Sequence, residues 1–367
     1  MLPAAKTSRL SLADVLPNCL GALRGRTGPL GLGPLTHAVV LLADGLGAAA
    51  LRAHAGHART LASRLAVDPV ISAGFPTTTA SSLASLTTGC APGSHGMVGY
   101  RALDPARDVV VSQLNGDPAL DPAVWQRSPT LFETAADEGV RSVAIGSPRH
   151  ADSWFTRAVL RGAEYRGAAS LAARFTAARA ELAGPGPVLL YLYVAELDVE
   201  GHANGLDSGR WVAALEALDA EVAALTQSLR PGQALVVTAD HGMVDVPAGA
   251  QVLVPDDLLA DVRHVAGEPR CLQLHLEPGI DADAVAERWR AAEPARAWVA
   301  TREEAIAAGW FGEVEPEVAP RIGDVLIAAR RRHAFYVEEA DPARRMIGQH
   351  GSLTPEEREV PLLRFAG

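Results

Sequence analysis

The 367-residue sequence predicts an α/β protein: a mainly parallel sheet flanked by helices, with a smaller α+β cap inserted late in the chain. Three observations predict it. The apolar runs HAVVLLAD (37–44), VLLYLYVAELD (188–198) and ALVVTAD (234–240) each end on an aspartate with glycine close behind. Unbroken runs of this kind are strands buried on both faces of a parallel sheet. Between them lie alanine-rich segments of helical spacing, such as SPTLFETAADEGV (128–140) and RWVAALEALDAEVAALTQSL (210–229). After Val246 the composition shifts, and residues 247–320 become rich in proline and acids.

The elements follow in order. Ser11 and Asp14 read as a capping box that opens a short helix. The run 37–43 is the first core strand. Ala80 to Thr88 spans about two helical turns, with Gly89 as the residue that ends them. In the insertion, QVLVP (251–255) and CLQLHL (271–276) read as strands and DADAVAERWRAAE (281–293) as a helix. RIGDVLIAARRRHAFYV (321–337) and EVPLLRF (359–365) are then expected as edge strands of the core. Residues 1–246 plus 321–367 would form the catalytic core and 247–320 the cap, in line with roughly 150 residues per domain.

Composition excludes several classes. With 33 basic and 43 acidic side chains the net charge is −10, which disfavours binding duplex nucleic acid through its phosphates. Lys6 is the sole lysine, so no lysine-dependent P-loop or Schiff base is available elsewhere. Cys19, Cys90 and Cys271 are odd in number and far apart, which fits a reducing compartment rather than a disulfide framework. The N-terminal apolar stretch is cut by Asp14 and Pro17, and no run reaches the ~20 apolar residues of a membrane span. A cytoplasmic protein with no membrane attachment and no obligatory protein partner is expected.

Functional groups of open α/β sheets collect beyond the carboxyl ends of the strands. Asp44, Asp198 and Asp240 all stand there. Taken singly, each is a turn or N-cap residue; three together with neighbouring histidines carry more weight. Asp198 and His202 are four apart, so one helical face presents both to a metal ion. Asp240 and His241 can converge in the turn past their strand, and His350 sits between glycines in GQHG (348–351). Thr79, last of the three threonines in FPTTT (75–79), meets the helix N-terminus, where free amides favour an anion. A hydroxyl there beside a divalent cation can attack phosphorus.

The ordered set DGLG (44–47), FPTTT, TTGCAPGSHG (87–96), DVEGH (198–202), ADHG (239–242) and GQHG resembles the alkaline phosphatase superfamily. It is most similar to the type I phosphodiesterase/nucleotide pyrophosphatase branch. The resemblance spans essentially the whole chain except the insertion and implies an alkaline-phosphatase-like core. It implies two divalent cations, zinc or manganese: Asp44, Thr79, Asp240 and His241 around one, Asp198, His202 and His350 around the other. Three carboxylates against two dications leave a net +1, which attracts a phosphoryl anion. Ser82, three residues after Thr79, stands where the comparison expects an asparagine donating to substrate. His95 matches a loop that binds no metal and reads as structural. The implied activity is hydrolysis of nucleotide phosphodiesters through a Thr79 phospho-enzyme, with cyclic or linear dinucleotides such as cyclic di-AMP as substrates. A phosphomonoesterase or phosphonoacetate-type hydrolase is the same-class alternative, and a catalytically inactive binding protein the different-class one.

Overall fold

A computed structural model describes residues 2–3 and 8–367. Lys6 lies outside the described residues. Five strands form the parallel part of the main sheet: β1 (His37–Ala43), β2 (Arg141–Gly146), β3 (Glu164–Gly167), β4 (Val188–Val194) and β5 (Gln233–Thr238). Their spatial order is β5-β1-β4-β2-β3. β1 pairs parallel with both β4 and β5, in register His37↔Val188 and His37↔Gln233. All seven β1 residues are buried, as an apolar run covered on both faces requires.

The three acid-terminated strands are therefore the three central neighbours, and their ends share one edge of the sheet. The helix over Thr79–Thr88 delivers the threonine motif to that edge. Gly89 ends this helix at φ +71°. The expected capping box at Ser11 and Asp14 is present, opening a turn of 3₁₀ helix that leads into Val15–Leu23.

A second, antiparallel sheet contains β6 (Val262–Glu268), β7 (Cys271–Leu276), β8 (Ala297–Thr301) and β9 (Val325–Ala329), in the order β6-β7-β9-β8. It has its own apolar cluster, with Trp289 and Phe335 at its centre. Here one expectation is corrected. Residues 325–329 do not return to the core sheet as an edge strand; they pair with β7 and β8 inside the second sheet. The second sheet thus continues past residue 320. VLIAA is buried along its whole length, and such a run satisfies either sheet equally well. The C-terminal expectation holds in part: Glu359–Pro361 pairs with Val70–Ser72 in a separate two-stranded sheet, while β10 (Leu363–Ala366) lies antiparallel on β5 and closes that edge of the main sheet.

Candidate active site

Asp44 follows β1 directly and its amide is held by the Val194 carbonyl at 2.9 Å. Its Oδ2 accepts the Tyr193 hydroxyl, while its Oδ1 is buried with no hydrogen-bond partner. Asp240, fully buried beyond β5, accepts the amides of Gly45 (3.2 Å) and His241 (3.1 Å) on Oδ1. Its Oδ2 is likewise left over. Asp198 sits in the first turn of the helix Glu196–Asn204, four residues before His202 as the spacing requires, and its Oδ1 is the third such oxygen. Asp44 and Asp240 are held from behind, and all three carboxylates present one unsatisfied oxygen.

The histidines are arranged the same way. Nδ1 of His202 faces the Gly348 carbonyl (2.7 Å), that of His350 the Thr77 carbonyl (2.8 Å), and that of His241 the Gly242 carbonyl (3.1 Å). A carbonyl can only accept, so all three Nδ1 atoms carry a proton, and Nε2 is the ring atom each histidine turns towards the carboxylates. These Nε2 atoms converge on the carboxylates. His202 Nε2 is 3.2 Å from Asp198 Oδ1 and 3.3 Å from His350 Nε2. His241 Nε2 lies 3.4 Å from Asp44 Oδ1 and 3.5 Å from Asp240 Oδ2.

Two groups emerge in which the ligand atoms all lie within 4.8 Å of one another: Asp198, His202 and His350, and Asp44, Asp198 and His241. They share Asp198, so the two positions adjoin. Without a cation the charges conflict. Burial, then the charges of Asp240 and Asp198, push the Asp44 carboxyl well above the usual range, and burial raises Asp240 too. The orphaned carboxylate oxygens and the facing Nε2 atoms together make a mixed oxygen and nitrogen donor set. Hard dications that accept oxygen and nitrogen ligands fit it.

Thr79 is the first residue of its helix and not its cap; Thr78 occupies the cap position, with extended backbone and no side-chain cap bond. The three threonines are thereby separated. Thr77 is fully buried, its hydroxyl donating to the Ser352 carbonyl (2.8 Å) and accepting the Gly351 amide (3.0 Å). Thr78 is buried as well, whereas Thr79 is partly exposed. The Thr79 hydroxyl donates to His241 Nε2 at 3.2 Å.

A cavity of about 350 Å³ opens from Asp44, Thr79 and Asp198. Leu83, Ile145, Phe155 and Val159 line its apolar side, and Tyr165, Tyr191 and Tyr193 its aromatic wall. Volume and lining are those of a pocket that takes a small organic ligand. Ser82 does not line it; that residue is buried within the helix and its hydroxyl has no partner. His95 is fully buried between the Ser85 hydroxyl (2.9 Å) and the Met97 amide (3.1 Å), a structural place.

All lining residues fall between 44 and 199. The insertion therefore contributes no lining residue to this cavity. Its contact with the site runs through Arg270 instead. That fully buried guanidinium pairs with fully buried Glu357 at 3.0 and 2.6 Å. Glu357 also accepts the Ser352 amide (2.9 Å) and the Thr354 hydroxyl, and its carbonyl takes the Gly242 amide (2.8 Å). Gly242 is packed so closely that a Cβ would lie 2.0 Å from the Glu356 carbonyl oxygen. One ion pair thus braces the loops carrying His241 and His350. Sequence reading missed Arg270, Glu357 and Tyr193; the alternation of Tyr191 and Tyr193 on one strand face was a usable signal for the last.

The fold is shared with solved structures. A mouse ectonucleotide pyrophosphatase/phosphodiesterase 5, solved as an inactive threonine-to-alanine form with AMP, superposes with a TM-score of 0.68 at 19% identity, over 90% of this chain and 87% of that one. The human counterpart gives 0.68 at 18%, over 90% and 87%. Phosphonoacetate hydrolase from Sinorhizobium meliloti 1021, with phosphonoacetate, gives 0.69 at 22%, over 90% and 89%. No curated protein matches by sequence. The family model described as type I phosphodiesterase/nucleotide pyrophosphatase matches residues 38–353, and the chain belongs to that family, within the alkaline phosphatase superfamily.

Proposed function

We propose that the protein is a two-metal phosphodiesterase that cleaves nucleotide phosphodiesters through covalent attack by Thr79. One observation carries this reading: three imidazole Nε2 atoms and three orphaned carboxylate oxygens converge beside the one exposed hydroxyl of the threonine motif. Asp44, Asp240 and His241 with Thr79 would hold one cation, and Asp198, His202 and His350 the other. Zinc or manganese, when bound, would lower the hydroxyl pKa and neutralise charge on the phosphoryl oxygens.

The chain's own groups supply the rest. The Thr79 oxygen attacks phosphorus and the ester bond to one alcohol breaks, giving a nucleotidyl-threonine that keeps the other ester; the departing alcohol takes the hydroxyl proton. Water then hydrolyses the threonine ester, releasing the nucleoside monophosphate and restoring the hydroxyl. Amides in the first turn of the helix offer donors to the phosphoryl oxygens. The cavity takes the nucleoside against its tyrosines and apolar wall. The inactive threonine-to-alanine form of the mouse relative, solved with AMP, supports both the nucleophile and the nucleotide.

Cyclic or linear dinucleotides such as cyclic di-AMP are the substrates we assign, in a cytoplasmic setting. No helix among the described residues is long and apolar enough to cross a membrane. The test compares turnover of bis(p-nitrophenyl) phosphate, p-nitrophenyl phosphate and phosphonoacetate by the metal-loaded enzyme. Preference for the diester supports the reading. Preference for the monoester or phosphonate replaces it with the alternative chemistry.

A further inference from the structure

Resting on the nucleotide reading above, we infer that a second cavity beside the first binds a second phosphate of the substrate, carried on the far side of its nucleoside. This cavity measures about 540 Å³ and shares Arg149, His150, Tyr193, Ala195 and Val199 with the nucleoside cavity. It contains none of Asp44, Thr79 or Asp198. A ligand filling both cavities therefore has its attacked phosphate at the metal ligands and its other end here.

The lining is cationic in a chain whose net charge is −10. Three arginines, Arg149, Arg174 and Arg210, face two acids, Glu196 and Glu200. Their pairing leaves a surplus in a definite place. Arg174, buried, is committed to Glu196 and to the Tyr193 carbonyl (3.2 Å). Glu200 accepts the Asn204 side chain at 2.7 Å. Arg149 donates only to His150 Nε2 (2.9 Å), and Arg210 has no hydrogen-bond or ion-pair partner among the described residues. Burial and the Arg149 charge lower the His150 pKa, so that ring is a neutral donor through Nδ1 and not a third cation.

Two arginines without acid partners lining one cavity form a receptor for a phosphate oxyanion; guanidinium forks match phosphate oxygens. The second cavity contains none of Asp44, Thr79 or Asp198, which assigns it to a phosphate on the far, 3′ side of the nucleoside and not to the next phosphate of a 5′-polyphosphate chain. The substrate class is thus a nucleotide with phosphates on both sides of one nucleoside, as within a dinucleotide.

Calorimetry on the metal-loaded protein tests this with adenosine 3′,5′-bisphosphate, ADP and AMP. The bisphosphate is expected to bind about tenfold more tightly than AMP, a difference of about 1.4 kcal/mol. Arg149→Ala and Arg210→Ala should each shrink that ratio and the double variant bring it near one, as should high salt. Equal affinity of the wild type for AMP and the bisphosphate overturns the subsite. An advantage for ADP but not for the bisphosphate overturns its placement. If the bisphosphate ratio holds but no diester is hydrolysed, the subsite stands and the catalytic reading fails. If none of the nucleotides binds, both fall.

Discussion

Arg270 and Glu357, 87 residues apart in sequence, form a bidentate ion pair with neither side chain exposed to solvent. The pair joins the second sheet to the loops that carry His241 and His350. Removing one partner leaves the other as an uncompensated buried charge, which typically costs about 3–5 kcal/mol. Arg270→Met and Glu357→Gln should each lower stability on that scale, with the double variant recovering part of the loss. Urea unfolding of the four-member cycle checks this; strictly additive losses would show that the pair is not coupled.

Because the Glu357 carboxylate also accepts the amide of Ser352, two residues from His350, its role extends to the ligands. Glu357→Gln should weaken cation affinity, measured by equilibrium dialysis with zinc or manganese. Glu357→Asp should restore part of it. A variant that is destabilised yet binds both cations with wild-type affinity would confine Glu357 to folding.

Chelation should destabilise the protein. The unsatisfied oxygens of Asp44, Asp198 and Asp240 repel one another in a buried space, and a bound cation relieves this. A ligand present at a hundredfold excess over its Kd stabilises by about 2.7 kcal/mol, so losing each cation to chelator should lower Tm by roughly 3–4 °C in a chain of this length. Zinc or manganese should restore it, and His202→Ala or His350→Ala should remove one equivalent of bound metal by atomic emission. An unchanged Tm with full metal content in the variants would place the cations elsewhere.

Glu268 predicts a pH effect. Burial pushes its carboxyl from 4.5 up to about 8, against the hydrogen bond from the Tyr100 amide at 2.9 Å. The folded protein keeps this proton in a range where the unfolded chain has lost it. The stabilisation is therefore complete below about pH 4.5 and is lost as pH rises towards 8. Glu268→Gln should match the wild type near pH 5 and exceed it by at least about 1 kcal/mol near pH 8.5. Parallel pH profiles of the two proteins would show that the carboxyl ionises normally.

Much of this site was readable from sequence because parallel strands buried on both faces leave unmistakable apolar runs, and Asp44, Asp198 and Asp240 stand where the runs stop. The i,i+4 pair of Asp198 and His202 was equally plain. The strand Val325–Ala329 was not, because a fully apolar run carries no mark of the sheet it joins. The Arg270–Glu357 brace was invisible for a different reason: each residue alone is an ordinary surface type, and only the tertiary fold buries them together. The place of Thr79 was off by one helical position. Three adjacent threonines each satisfy the cap preference, and only burial separates Thr79 from Thr77 and Thr78.

The central claim, that Thr79 is the nucleophile of a metal-dependent diesterase, is tested most directly by the kcat of Thr79→Ala on bis(p-nitrophenyl) phosphate, with the variant loaded with metal. The account predicts a loss of about 10³-fold or more with fold and most bound metal retained, and partial activity in Thr79→Ser. Turnover by Thr79→Ala close to wild type, with Thr78→Ala inactive instead, would contradict it.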